Sequence, residues 1–287
     1  MPDLVAGSLR LLAEPLAFPF MQRALLATMI VGVACAVVGA FVVAKGLAFI
    51  GDALAHASFA GIALALLLRR SIYLGAIAAA VVTSLAITLV SRRGRVSADT
   101  ASGVLFAGAF SLGIVLISPA RNYTVDLFAY VFGNVLGIGP DDLTVIVVAG
   151  LLVVGLVAAL YKELLFVAFD PHMAEAEGLP VGLLQYLLLG LVALTVMAAV
   201  KAMGIVLVVA MLVTPAATAT MLTSRFSSTL LLGAALAIVA SVVGLYISFY
   251  ANVASGASTV LVSTLIFLAV LLAPARRPSA TAAERAP

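Results

Sequence analysis

Apolar runs close to 20 residues long recur nine times along the chain, separated by short polar or glycine-bearing segments. About 20 apolar residues is the length a helix needs to cross a bilayer. The runs lie at 24–44, 47–68, 72–90, 101–118, 143–160, 183–200, 204–222, 229–250 and 257–273. They predict an all-α polytopic membrane protein with about eight or nine transmembrane helices, because only helices satisfy the backbone of isolated spanning segments in lipid. A further piece, 124–139, is apolar but short and carries Asp126. It reads as a re-entrant or interfacial segment on the extracytoplasmic side.

The chain therefore divides into an N-terminal interfacial segment (1–23), a transmembrane domain (24–273) and a disordered cytoplasmic tail (274–287). The first segment holds Arg10, Glu14 and Pro15 and lacks the basic start, apolar run and small-residue cleavage site of a secretory signal.

Composition agrees with that reading. Of 287 residues, 65% are hydrophobic and 9% charged, and the mean hydropathy is +1.30. A soluble domain carries about a quarter charged residues. One cysteine, Cys35, excludes an internal disulfide framework and any cysteine-rich metal cluster. A net charge of +3 with no basic run interleaved with aromatics gives no ground for nucleic-acid binding. Arg92, Arg93 and Arg95 in one loop, and Arg276, Arg277 and Arg285 in the tail, place both on the cytoplasmic side by the bias of basic residues. Lys45, Lys162 and Arg225 then fall inside; Arg10, Arg23, Arg69, Arg70, Arg121 and Lys201 fall outside.

The chemistry concentrates in the second run, where Asp52 and His56 sit four residues apart. Four residues is about one helical turn, so both side chains project from one face. An aspartate at bilayer depth costs on the order of 3 kcal/mol on insertion scales. A carboxylate beside an imidazole suits a divalent transition metal. Asp99 stands at the start of the fourth run, as a helix N-cap or a lower-ranked metal contact. Asp126, Asp141 and Asp142 lie on the outer side, as cation attractors or solvated loop acids. Met203 and Met211 are soft donors in principle and core filler by habit. Thr214-Pro215 falls inside a run, where proline breaks a backbone hydrogen bond and makes a kink or hinge.

The longest polar stretch on the inner side is 161–182 (YKELLFVAFDPHMAEAEGLPVG). Asp170 suits an N-cap, Pro171 the first helical position and Gly178 a left-handed stop. The spacing predicts a short, well-capped loop helix at about 170–178, acidic on its exposed side through Asp170, Glu175 and Glu177. Such a helix is either a docking element or an ordinary capped loop. The chain has no phosphate-binding loop, nucleophile elbow or His-Glu-x-x-His, so no enzymatic centre is expected in it.

The string FVVAKGLAFIGDALAHASFAGIALALLL, followed in order by DTASGVLFAGAFSLGIVLIS, TVDLFAYVFGNVLGIGPDDL, FDPHMAEAEGLPV, GIVLVVAMLVTPAATA and SGASTVLVSTLIFLA, resembles the permeases of metal-ion ABC importers over nearly the whole chain. The resemblance implies a fold like that of the vitamin B12 and siderophore importers with fewer helices. It implies a homodimer in the bacterial inner membrane with the path at its two-fold axis, a cytoplasmic ATPase on each protomer that binds the ATP, and an extracytoplasmic metal-binding protein. No covalent cofactor is implied; the transported divalent metal ion passes Asp52 and His56. Asp170, Pro171, Ala174, Glu175, Glu177 and Gly178 correspond to the family's coupling helix. Two positions depart from the family pattern: Ala98 precedes Asp99 where an acid is common, and His172 stands in the coupling segment. Manganese, zinc and ferrous iron all accept nitrogen and oxygen donors, so the residues leave the metal open. A proton- or ion-coupled secondary transporter using Asp52 and His56, and an ABC permease for a metal chelate, are the alternatives.

Overall fold

The structure, a computed structural model, describes residues 13–92, 96–118 and 133–273. Besides a helical turn at 13–16, the described residues form no strand and eleven further α-helices: α1 (Pro19–Ala44), α2 (Ala48–Leu67), α3 (Ile72–Arg92), α4 (Ala98–Ile117), α5 (Pro140–Ala159), α6 (Tyr161–Phe169), α7 (Pro171–Ala176), α8 (Val181–Met203), α9 (Ile205–Leu222), α10 (Phe226–Ala251) and α11 (Ser255–Leu272). One turn of 3-10 helix, Val135–Gly137, precedes α5. Eight of the described helices (α1–α5, α8, α10 and α11) are long and apolar enough to cross a membrane. The remaining predicted run is α9, an 18-residue helix with Pro215 inside it.

Helix starts differ from the apolar pattern where capping chemistry takes over. α1 begins at Pro19, with Phe18 as its N-cap, rather than at residue 24. Proline is pre-set for the first helical turn, so the helix absorbs the end of the expected interfacial segment. α4 begins at Ala98 because Ser97 caps it: the Ser97 hydroxyl oxygen accepts the Thr100 N–H at 3.1 Å. Asp99 is therefore a first-turn residue and not the cap. The polar stretch 161–182 also contains α6, a nine-residue helix that the apolar pattern does not announce.

α1, α2 and α8 form the buried centre. α1 packs against α5, α8, α9 and α10; α2 packs against α3, α4 and α9. The peripheral helices turn large apolar side chains outward, among them Leu74, Val104, Val115, Leu151, Leu231 and Leu272. Outward apolar faces suit lipid as solvent.

Three polar contacts show which helix ends lie together. At one end Asp142, in the first turn of α5, accepts from Tyr73 near the start of α3 at 2.6 Å and pairs with Lys201 in the last turn of α8. At the other end Lys45, capping α1, donates to the Val167 carbonyl of α6 at 3.2 Å. The alternation agrees with Lys45 and Lys201 lying on opposite sides. Asp126 and the 274–287 tail lie outside the described residues.

Candidate functional site

α2 is rich in alanine around its polar pair (Ala53, Ala55, Ala57). Alanine has the highest helix propensity, so the helix runs unbroken through Asp52 and His56. Their shared face brings them into contact. His56 Nδ1 stands 3.1 Å from Asp52 Oδ1 and 3.0 Å from the Asp52 backbone oxygen. Both neighbours are acceptors, so this pattern assigns a proton to Nδ1. In the neutral imidazole the free lone pair is then on Nε2. A carboxylate behind a histidine in this way fixes tautomer and ring orientation and raises ligand basicity. Asp52 thus spends one oxygen on His56 and keeps Oδ2 free.

The imidazole is held from a second helix. Phe106 and Phe110, one turn apart on α4, meet the ring edge-to-face with centroids at 4.6 and 5.3 Å. The His56 side chain is only 13% exposed and that of Asp52 28%. Asp52 is the more open of the two because it borders a wide cleft of about 490 Å³ between α2 and α9, which Phe49, Val213 and Thr214 also line.

Thr214, the neighbour of Pro215, and Asp52 line the same cleft. Pro215 lacks the N–H that would bond the Met211 carbonyl, and it follows the cleft-lining Thr214 directly. Among the described residues no group of three or more His, Cys, Asp or Glu could hold a metal ion.

The other sequence candidates separate. Asp99 is exposed at the start of α4. Asp141 is exposed in the first turn of α5. Asp142 is engaged structurally: besides Tyr73 and Lys201 it accepts the Gly139 N–H at 3.0 Å. Met203, Met211 and Cys35 are fully buried in the core.

The predicted loop helix is present as α7, with the expected ends. Asp170 Oδ1 accepts the Met173 N–H at 2.9 Å. At the other end Gly178 adopts φ +84°, its N–H bonds the Glu175 carbonyl, and the Leu179 N–H bonds the Ala174 carbonyl, each at 3.0 Å. That is the Schellman arrangement, and it needs a residue at ease with positive φ. Asp170, Glu175 and Glu177 are exposed as expected. Ala174 is not: it is fully buried and faces the protein, leaving the outer face to its neighbours. The acidic pattern also hid an apolar component. Phe169 is 64% and Met173 55% exposed, side by side with the acids. Phe169 ends α6, and Met173 lies inside α7.

The profile of the ABC 3 transport family matches residues 17–273 of the chain. The manganese transport system membrane protein MntC of Halalkalibacterium halodurans is 45% identical over 260 residues, covering 90% of this chain and 89% of that protein. Other relatives carry the names of manganese and iron transport systems. Among solved structures, PsaBC from Streptococcus pneumoniae in complex with Fab matches with a TM-score of 0.85 and 35% identity, covering 93% of this chain and 98% of that one. An inward-facing structure of the metal-chelate ABC transporter type matches with a TM-score of 0.68 over 94% of this chain and 99% of that one; at 15% identity it shares the fold alone.

Proposed function

Because the chain belongs to the ABC 3 transport family, we propose that it is the membrane permease subunit of an ATP-driven importer of a divalent first-row metal ion, with manganese as the principal cargo. The observation that carries the cargo reading is the contact between Asp52 and His56 on the spanning helix α2, with Asp52 bordering an open cleft. The names of relatives support manganese over zinc. Family membership also favours this reading over a self-sufficient secondary transporter.

In this mechanism an extracytoplasmic binding protein delivers the ion and His56 Nε2 and Asp52 Oδ2 receive it as substrate. Two donors per protomer leave most of the ion's shell to water or to the same pair of a second copy across a two-fold axis. Sparse ligation lets the ion leave again, which a closed structural site would prevent. The Asp52 charge offsets part of the cost of bringing a dication to bilayer depth.

ATP is hydrolysed on a separate cytoplasmic subunit, docked on the acid-rimmed apolar face of α7. Closure of those subunits moves α7 and, through the bundle, exchanges outward for inward access. Pro215 follows Thr214, where α9 borders the cleft, and the hydrogen bond it removes from the helix would let α9 bend there with such a movement.

The chain, expressed with its ATPase in cells stripped of other manganese importers, should restore accumulation of radiolabelled manganese. Unlabelled ferrous iron should compete more strongly than magnesium. An Asp52→Ala variant that reaches the membrane at parental level and still imports manganese normally would remove the site from the mechanism.

A further inference from the structure

We propose that a second cavity, at the α6–α7 end of the bundle, binds an anionic phospholipid, with the phosphate on Lys45 and the upper part of an acyl chain against the aliphatic wall. The cavity has a volume of about 230 Å³ and lies where four helix ends converge. Lys45 comes from the end of α1, Leu47 from the start of α2, Ile87 and Ser91 from the last turns of α3, and Gln185 and Leu189 from the start of α8.

Its lining is amphipathic. Leu47, Ile87 and Leu189 supply apolar surface, while Lys45 and Gln185 supply donors. Lys45 is the telling member. It is half-buried, it makes one hydrogen bond, to the Val167 carbonyl at 3.2 Å, and no carboxylate pairs with it among the described residues. An ammonium has three donors, so two remain for a ligand. A partly buried cation without a counter-charge is costly, and burial holds the Lys45 amine below the usual lysine range. An anion in the cavity would reverse that penalty. Gln185 has no hydrogen-bond partner among the described residues.

A free inorganic anion would use Lys45 but leave the aliphatic wall with no partner. A lipid uses both halves, and helix ends at the edge of the bilayer are where headgroups lie. The chain runs on from Ser91 into Arg92, Arg93 and Arg95, and such basic clusters attract anionic lipid surfaces. Because Lys45 also bonds α6, an occupied cavity would brace the segment that carries α7. Assignment to the inner leaflet rests on the proposed cytoplasmic position of α7. Binding itself does not, and the test reads binding without transport.

The test uses the complete transporter, purified with its ATPase subunits, stripped of lipid and titrated in native mass spectrometry. Phosphatidylglycerol should bind roughly fivefold more tightly than phosphatidylcholine. Lys45→Gln should abolish that preference and Lys45→Arg should keep it. Leu189→Trp, which fills the cavity without altering charge, should weaken phosphatidylglycerol binding by a similar factor. Inorganic phosphate should not displace the lipid. Parental binding in both Lys45→Gln and Leu189→Trp overturns the proposal. Equal affinity for phosphatidylcholine, or full displacement by phosphate, overturns it as well, the latter in favour of a small-anion site.

Discussion

Gly61 on α2 and Gly75 on α3 touch backbone to backbone. A Cβ on Gly61 would stand 2.0 Å from the Gly75 carbonyl oxygen, and one on Gly75 would stand 2.3 Å from that of Gly61. No side chain fits at either position, so the pair sets how close the two helices come. The contact lies about one and a half turns along α2 from His56. It therefore fixes the depth and rotation at which α2 presents its polar face.

On an open helix face, glycine to alanine is favourable by about 1 kcal/mol. At Gly61 the sign should reverse. Gly61→Ala should lower the midpoint of thermal unfolding in detergent, by a free energy of about 1–3 kcal/mol. Gly61→Leu should reduce the amount of folded protein in the membrane further. An alanine variant as stable as the parent would show that the two helices can separate at no cost.

Asp52→Asn preserves the shape of the side chain and an oxygen that can accept from His56 Nδ1, but removes the charge. If the carboxylate serves only to orient the ring, uptake should fall modestly. If its charge also meets the ion, uptake of radiolabelled manganese should fall at least about tenfold, the lower end of what loss of a supporting carboxylate costs metal sites. We expect the larger loss, and His56→Ala should match it, with insertion and ATPase binding unchanged in both. Normal uptake in either variant would remove that residue from the path.

Lys201 and Asp142 should behave as a coupled pair. Lys201→Met leaves a partly buried carboxylate with Tyr73 and the Gly139 N–H but without its cation. Asp142→Asn leaves Lys201 without its acid. Each single change should destabilise the protein, and the double change should cost less than the sum of the two, as interacting sites do. The measurement is thermal unfolding of all four proteins in the same detergent. Strict additivity would mean that the contact contributes nothing to holding α5 and α8 together.

Gly178→Val puts a β-branched residue at φ +84°, a conformation that costs L-residues roughly 1–2 kcal/mol. The end of α7 should be displaced, and with it the face carrying Met173 and Glu175. Stimulated ATP hydrolysis and uptake should fall together while manganese binding to the permease is retained. A cysteine at exposed Ala176 should crosslink to the ATPase, whereas one at buried Ala174 should not. Labelling of residue 176 only from outside the cell would invert the topology.

Much of this protein is legible in one dimension because a bilayer imposes a one-dimensional rule. A spanning segment must be apolar for about 20 residues and helical throughout, so all nine apolar runs are helices. Polar residues in such runs are costly, which singles out Asp52 and His56 before any contact is known. The ends of α7 are equally local: an N-cap, a proline and a left-handed glycine act within a few residues of each other. Contacts between helices are not written in this way. Nothing in the alternation of apolar residues says that Gly61 meets Gly75, that Phe106 and Phe110 enclose His56, or that Asp142 is spent on Lys201 rather than left for cations. Nor does it say that Ala174 turns inward while Met173 turns out. Each of these depends on which faces of which helices meet. In a chain whose helices are apolar all round, that choice comes from close packing of shapes in three dimensions, which hydrophobicity along the sequence cannot encode.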